Sequence, residues 1–579
     1  MFDWRTKTDD WIIKFILKAQ TDMENERALI EPIYKSVTKL FQPRRFDLDQ
    51  VRQFSLTSGR SRRSYEYGVN VYDPTPAGSL SKFANGMVGN TVNRGDADPW
   101  WLRFTAPNQA LMDVDAVKTA LQDSEEQVKY GFNQSTFYRE MPQYMRDAGC
   151  TYAVMTAQID KVKDRVVFQT RHPSGCWFKK DMLGNFTANH FKISMSAYDL
   201  VKEFGKGSDF PQEIRDVAEG TAGKDAQPFR MYSVIHAVYI NESVRSSDSL
   251  DSTDKPFIQF YIVTNSGSAG KSQCLVNRDG LDWQPITLTL NGTIEETYPI
   301  SLAMEAMTQA SYGNALSHDQ LRLSQGKTNP AKLIHSNLRG QVRKNRMNPG
   351  SNTYKDKAEE TIEYITNLGD WPLSDAATEK MARAVEEIFY IPFFEAATGT
   401  LGGPQRTAYE VGQIVSEAIT MMGPTIEATE DDVFEPATSI IWAYETMAGR
   451  MPDMPDVLFD GNASVQNKYM GRLAQLKRTL RESQASLQQL EIAKVFADLF
   501  PSSLAIIKDR KYFEDTMINH GAKQDIFRSD EEMSEIDQAS AAQEAEDKQL
   551  AIAAEAGKIM PPGKAIEPNS PAALAAGAA

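Results

Sequence analysis

The chain has 579 residues, 41% of them hydrophobic and 24% charged, a balance that suits about two to four structural regions with buried cores. Its formal net charge of −15 argues against a protein that grips DNA over a wide basic surface, but it allows an acidic wall past which DNA slides on weak contacts. Cys150, Cys176 and Cys274 are spaced too widely for a zinc site or a disulfide framework, which points to a reducing compartment, and no stretch reaches the roughly 20 apolar residues of a membrane span.

Residues 1–40 read as helical, with Trp11, Ile12, Ile16, Leu17, Leu29, Ile30 and Ile33 as packing positions. The apolar run from Trp11 to Leu17 is broken by Lys14 and follows Asp9-Asp10, unlike a signal peptide. Arg44, Arg45, Arg52, Arg60, Arg62 and Arg63 come next, interleaved with Phe46, Phe54, Tyr65 and Tyr67. Such a pattern can bind nucleic acid, although a subunit contact or a solvated loop accounts for it more simply. Tyr72-Asp73-Pro74 opens a turn into a helix that puts Leu80, Phe83, Ala84, Met87 and Val88 on one face. That helix runs out towards Gly89 and Gly95, ahead of the aromatic anchor Pro99-Trp100-Trp101-Leu102. A further helical block covers about Met112 to Asp147.

From Thr151 to about Leu290 the texture changes to period two, with strands at Arg165–Thr170, Met231–Ile240, Phe257–Thr264 and Ile286–Leu290 and a Ser/Asp-rich loop at Ser247–Asp254. The regular βαβ alternation of a doubly wound fold is missing, so the class is α+β. Asn265-Ser266-Gly267-Ser268-Ala269-Gly270-Lys271-Ser272 nearly matches a phosphate-binding loop. Asn265 replaces its first glycine, however, and Gln273 to Asn277 reads as a returning strand where such a loop must feed a helix. A hairpin turn is the reading.

Pro299 to Lys327 is helix-compatible, with Leu302, Met307, Leu316, Leu321 and Leu323 as apolar positions. Gln320 to Lys355 then carries Arg322, Lys327, Lys332, Arg339, Arg343, Lys344, Arg346 and Lys355 with no acidic residue, broken into short extended pieces by Asn329-Pro330 and Asn348-Pro349-Gly350. It suits either a basic subunit interface or a surface for DNA or an acidic partner. Ala377, Met381, Ala384, Val385, Ile388 and Phe389 fall at helical spacing, and that helix must stop before Pro392. A loop with Gly399, Gly402, Gly403 and Pro404 follows. Thr407-Ala408-Tyr409-Glu410 is a capping box, in which the Thr407 hydroxyl accepts from the Glu410 amide and the Glu410 side chain reaches back. It opens a long helix whose stripe runs through Val411, Ile414, Val415, Ala418, Ile419 and Met422. After a kink at Gly423-Pro424 the stripe continues through Ile426, Val433, Phe434, Ala437, Ile440, Ile441, Tyr444 and Ala448. Val465 to Leu499 reads as helix, as does a glutamate-rich run beyond it, and Pro561 to Ala579 is too poor in bulky residues to pack.

No H-E-x-x-H, G-x-S-x-G, G-x-G-x-x-G or Cys/His cluster is present. The histidines His172, His190, His236, His318, His335 and His520 are scattered, and the adjacent acids Glu386-Glu387 and Glu430-Asp431-Asp432 point in different directions on a helix. Nothing assembles a catalytic constellation, a metal site or a cofactor site.

Arg406-Thr407-Ala408-Tyr409-Glu410-Val411, Met422-Gly423-Pro424 and Gly449-Arg450-Met451-Pro452-Asp453-Met454-Pro455 resemble, in order and spacing, the head-to-tail connector (portal) family of short-tailed bacteriophages. Members of that family show a T-A-x-E-V helix start, an L-G-P-type kink and an A-G-x-x-P ending at similar intervals. Tyr72-Asp73, Leu80 to Gly89, Pro99-Trp100-Trp101, Met231 to Ile240, Asn348-Pro349-Gly350-Ser351 and the Ala/Gly-rich tail are similar too. The family's Y-G-x-G-P-like motif has no clean counterpart: Tyr298-Pro299 or Tyr312-Gly313 stands there, which leaves two starts open for the helix before the basic block.

The resemblance implies an α+β, mainly helical fold of portal type, with an α+β wing, a helical stem, a small clip, a long kinked tunnel helix and a helical crown. The wing would take residues 1–298, strand-rich over about 151–290. Stem helices would cover 299–327 and 374–391, the clip 328–373, the tunnel loop 392–406 and the long helix returning to the wing 407–455. Residues 456–557 would form the crown and 558–579 a disordered tail. The implied function is a non-enzymatic ring, usually of twelve subunits, at one capsid vertex of the virion, assembled in the host cytoplasm. Double-stranded DNA would pass through it during packaging and ejection, and it would dock the terminase large subunit, tail adaptor or nozzle proteins, and the major capsid and scaffolding proteins, with no cofactor and no membrane. Gln405 and Arg406 would face the DNA, while Arg339, Arg343, Lys344 and Arg346 would meet terminase, adaptor or DNA. Another phage structural protein (a scaffold or tail component) or a nucleotide-hydrolysing motor built on Gly270-Lys271-Ser272 are the alternatives.

Overall fold

The computed structural model describes residues 3–43, 45, 70–92, 94, 100–106, 109–112, 114–205, 210–221, 227–242, 254–264, 273–293, 295–328, 332–334, 362–364, 371–397, 421–455, 465–471 and 548. A five-stranded sheet forms a meander in the order β4 (Cys176–Lys180), β5 (Phe186–Ser196), β6 (Met231–Ile240), β7 (Phe257–Val263), β8 (Cys274–Leu281). A three-stranded sheet has the order β3 (Arg165–Arg171), β2 (Ala153–Asp160), β9 (Ile286–Leu288). Two pairs complete the described strands: β1 (Leu102–Thr105) with β12 (Gln466–Tyr469), and β10 (Lys332–Ile334) with β11 (Ile362–Tyr364). Every described pairing is antiparallel.

Both faces of the larger sheet are covered. Ile235, Ala237, Ile258, Phe260 and Ile262 pack under helix Asp9–Ala28 through Ile12, Ile16 and Met23. Their strand neighbours Val234, Tyr261 and Val263 turn the other way, against helices Ala197–Phe204 and Gln212–Glu219. The first helix is tied down by Arg27, whose buried guanidinium donates to the carbonyls of Cys176 (2.8 Å), Ser174 (3.0 Å) and Pro173 (3.2 Å) and lies over the Trp177 ring. Leu29, expected to pack, is 85% exposed, and Ile33 is exposed as well. The helix ends at Ala28 and a second begins at Glu31, which resets the phase so that Tyr34, Val37 and Phe41 are the buried positions.

The main core lies among the helices Thr75–Thr91, Asp115–Gln134, Phe137–Cys150 and Glu435–Met447. The anchor expected at Trp100-Trp101 is at its centre: the Trp101 ring meets Phe132 and Phe434, both at 5.3 Å, and stacks on Tyr469. Both indole nitrogens donate to the Tyr138 hydroxyl, so the buried polar edges are satisfied.

Two local expectations change and one feature is added. Residues 421–429 are helical through Gly423-Pro424, and the added feature is a π turn at Glu430–Phe434. The Glu435 amide donates to the Glu430 carbonyl, a step of five residues, just before Pro436, which has no N–H to give and whose ring would crowd a regular turn. The expected apolar positions Ile426, Val433, Phe434, Ala437, Ile440, Ile441 and Tyr444 are buried, while Ala448 is exposed. Gln466–Tyr469, read as helix, is a strand, because the β1 edge and the Trp101 carbonyl take its backbone donors, the latter from the Met470 amide at 2.6 Å. Ile391–Ala397, read as loop from Phe393 onward, is a short helix. The preceding helix Trp371–Ile388 does stop before Pro392, and Tyr390 takes a left-handed backbone (φ 56°) at the break.

Candidate functional site: the seat of a helical excursion

Helices Met307–Thr328 and Trp371–Ile388 pack along one another, with the Gln320 amide donating to the Thr378 hydroxyl at 3.0 Å. Between their far ends lies the β10–β11 pair. The chain therefore leaves its core along one helix and returns along the other. The start of the excursion is capped: Ser301 Oγ accepts from the Met304 amide and donates to the Cys150 carbonyl at 2.7 Å. Of the two motifs open for this start, Tyr298 is used upstream, its hydroxyl accepting from the Phe178 amide. Tyr312-Gly313 lies within the helix itself.

Gly313 has a packing reason to be glycine. The Asp73 carboxylate lies against it, and a Cβ there would stand 2.8 Å from Asp73 Oδ2. The next residue, Asn314, accepts the amides of Tyr72 (2.6 Å) and Asp73 (3.2 Å) and donates to the Asn70 carbonyl, while the Tyr72 ring lies against His318. Asp73 Oδ1 in turn accepts the Thr75 amide at 2.9 Å, closing the turn that starts helix Thr75–Thr91. Tyr72-Asp73 and Tyr312-Gly313, far apart in sequence, are thus two halves of one joint.

Helix Thr75–Thr91 also receives the returning chain. Phe389 packs against Phe41 and Phe83, and the Phe394 ring lies on Gly86, where a Cβ would come within 2.7 Å of it. Lys82 bridges Glu395 at 3.0 Å and Glu386 at 3.8 Å, and the hydrogen bond to Glu395 raises its pKa. Met422 is buried in the same core as Phe393 and Phe394, so the chain on both sides of residues 398–420 is anchored in one body.

The Gly449-Arg450-Met451-Pro452 motif ends its helix. Gly449 is left-handed (φ 67°), its amide donates to the Thr446 carbonyl, and the Arg450 amide donates to the Glu445 carbonyl, the pair of bonds that defines a Schellman cap. The Arg450 side chain closes the same turn, Nε to Glu445 Oε2 at 2.6 Å, and reaches Asp164 in the β2–β3 turn at 2.7 Å. Gln127 and Tyr444 complete the cluster with hydrogen bonds to Glu445 (2.7 Å) and Asp164 (2.5 Å). Hydrogen bonding to Glu445 raises the pKa of Arg450. Bonds from Tyr444 and then Arg450 lower that of Asp164. The sequence reading missed this pairing. Its one local signal is Asp164, an aspartate that tolerates a left-handed backbone (φ 48°) in a turn.

The site residues expected from the resemblance, Gln405 and Arg406 and likewise Arg339, Arg343, Lys344 and Arg346, lie outside the described residues, as does the Thr407–Glu410 capping box. What is described is the structure around them: the two helices and the strand pair that carry the basic block, and the anchored flanks of the loop. Two of the described histidines are buried in the packing of the larger sheet. His190 sits between Gln20 (3.0 Å) and the Tyr239 hydroxyl (2.7 Å), and His236 stacks on Tyr261; burial pushes both down to about 3. Among the described residues no His/Cys/Asp/Glu group could hold a metal ion. The phosphate-loop alternative meets an antiparallel strand where it needs a helix, since β7 pairs directly with β8 from Val263 opposite Cys274.

The chain is similar to known phage proteins over most of its length. It is 23% identical to the "Portal protein" of Salmonella phage epsilon15 over 483 residues, 80% of each chain. It is 22% identical to the "Probable portal protein" of Bordetella phage BPP-1 over 475 residues, 81% of this chain and 80% of the relative. Residues 14–527 match the family described as "Bacteriophage head to tail connecting protein". The match spans most of the chain, both halves of the Asp73–Gly313 joint and the Arg450 cap included, and the chain belongs to that family of structural, non-enzymatic head to tail connectors.

Proposed function

We propose that the chain forms the portal ring at one vertex of a phage capsid, with double-stranded DNA passing along its axis during packaging and ejection. One structural observation supports this reading: a two-helix excursion carrying the most basic stretch of an acidic chain is seated on an α+β body through Asn314, Gly313 and Phe389. A projecting basic element on a firm base suits a docking surface for a motor or tail partner. The net charge of −15 over the whole chain suits a channel in which DNA moves without being held.

In this proposal Arg339, Arg343, Lys344 and Arg346, between the two helices, contact the terminase large subunit, a tail adaptor or passing DNA. Gln405 and Arg406, between the anchored Phe393–Phe394 pair and Met422, face the DNA. Residues 1–298 form the wing, 299–327 and 374–391 the stem, 328–373 the clip and 407–455 the helix returning to the wing. The tunnel loop is shortened at its start, to about 398–406, by helix Ile391–Ala397. Residues from 472 onward form the crown and tail, because Gln466–Tyr469 is paired into the body. Capsid and scaffolding proteins meet the outer wing as the ring assembles in the host cytoplasm. Electron microscopy of the purified protein tests the proposal: closed rings with an axial hole are expected of a head-to-tail subunit interface that closes, whereas monomers or open filaments would defeat it.

A further inference from the structure

A cavity of about 190 Å³ lies where the end of β3 meets β4 and β5, lined among others by Arg171, His172, Ser174, Phe191 and Ser194. Arg171 is the last residue of β3, and its Nε donates to Thr156 Oγ1 at 2.9 Å. Its two terminal nitrogens have no hydrogen-bond or ion-pair partner among the described residues. The titratable groups that act on it are Cys176 and Tyr261, neither of them a carboxylate, and the third neighbour, His236, is neutral. Burial lowers the pKa of Arg171, yet a guanidinium stays charged at any physiological pH.

The nearby opposite charges are engaged elsewhere. Glu140 takes the Thr170 amide and pairs with Arg139, and Glu24 pairs with Lys192. The carbonyls of Pro173, Ser174 and Cys176 are held by Arg27, which fixes the turn that forms one wall. The Ser174 amide approaches His172 Nδ1 at 3.2 Å, which holds the turn closed. The lining therefore sets a permanent cation among polar groups of the turn and of β5, with room for several waters or one small anion. Arg171 is half-buried, and an anion in the cavity would supply the counter-charge that the described residues do not.

We propose that this cavity is an oxyanion site in which Arg171 holds one phosphate- or carboxylate-type group through its two terminal nitrogens. The bound group would fix the seam between the three-stranded and five-stranded sheets. Thermal unfolding of the full-length protein, with inorganic phosphate titrated against chloride at matched ionic strength, tests it. The wild-type transition should rise with phosphate concentration as expected for one site. Arg171→Met should lose that rise, and Arg171→Lys should respond at about tenfold weaker affinity, since an ammonium cannot make the forked contact. Phosphate also stabilises proteins generally, so the difference between wild type and variant is the readout. If Arg171→Met does not fold, Ser194→Asp, which puts a carboxylate at the cavity, should fold and lose the response. A parallel titration with acetate separates the sources: a rise with acetate alone assigns a carboxylate, and a rise with phosphate alone assigns a phosphate. No rise with either anion, or an equal rise in wild type and Arg171 variants, would overturn the proposal.

Discussion

Arg450 folds back over the end of its own helix onto Glu445, Nε to Oε2 at 2.6 Å, while its backbone amide caps the same residue's carbonyl at 3.0 Å. One residue thus ends the helix twice, through backbone and side chain. Its third contact, to Asp164, joins the helix to a turn 286 positions away in sequence.

Arg450→Ala should accordingly destabilise the protein well beyond an ordinary surface charge removal. Glu445 is 2% exposed and would lose its cation; Arg450 is itself 30% exposed, which places the loss at or below the low end of the ~3–5 kcal/mol range for broken buried pairs. Asp164→Asn, at the exposed end of the cluster, should cost markedly less, because solvent screens that contact. Urea unfolding of the two variants measures the contrast, and equal losses would contradict the hierarchy.

Glycines divide by what faces them. Gly86→Ala drives a methyl to 2.7 Å from the Phe394 ring and should cost about 1–3 kcal/mol. Gly313→Ala, aimed at the Asp73 carboxylate, should behave alike. Gly78→Ala, in the same helix as Gly86 but with nothing within 4 Å, should stabilise by about 0.5–1 kcal/mol. Melting temperatures of the three variants test the signs directly.

Acid stability follows from buried histidines. His190 and His236 have pKa values lowered from 6.5 to about 3, so between these limits the unfolded chain binds protons that the folded chain does not. Their contribution is complete above pH 6.5 and is lost as pH falls, by up to about 1.4 kcal/mol per pH unit for each group. Asp147 acts oppositely. Burial raises it from 3.8 to about 6 despite Arg45 at 2.9 Å, so its contribution falls as pH rises through that window. Stability should therefore drop between pH 6.5 and 3, less steeply where Asp147 titrates, and Asp147→Asn should steepen the drop between about pH 4 and 6. A pH series of denaturant midpoints for both proteins would reveal it.

The extent to which the sequence announced this structure depends on how local each signal is. Helix Thr75–Thr91 was legible because Leu80, Phe83, Ala84 and Met87 repeat at helical spacing, and β6 because Met231–Ile240 is long and rich in β-branched residues. β4 and β5 were not, since Lys179, Lys180, His190 and Lys192 break the apolar pattern and their partners, such as Glu24, Glu26 and Gln20, come from a distant helix. The Glu430–Phe434 π turn and the left-handed Tyr390 each answer to a proline two residues on, a cue too weak to read from the sequence alone. Of the site, the sequence marked the basic block and the glycine loop. The joints that seat them, Asp73 on Gly313 and Arg450 on Asp164, link residues more than 200 positions apart and appear only once the chain is folded.

For the excursion itself, an Arg343/Lys344/Arg346 triple alanine variant should assemble normally yet lose genome packaging or tail attachment by roughly tenfold or more, as expected when several charge contacts to a partner are removed. Counting packaged and tailed particles in complemented infections measures this. Unchanged counts would remove these residues from the docking surface.

The central claim is that the subunit closes into a ring around an axial channel. Electron microscopy of the purified full-length protein, with class averages along the ring axis, addresses it most directly. The account predicts closed rings of one subunit number with an open hole wide enough for duplex DNA; monomers, open filaments or discs without a hole would contradict it.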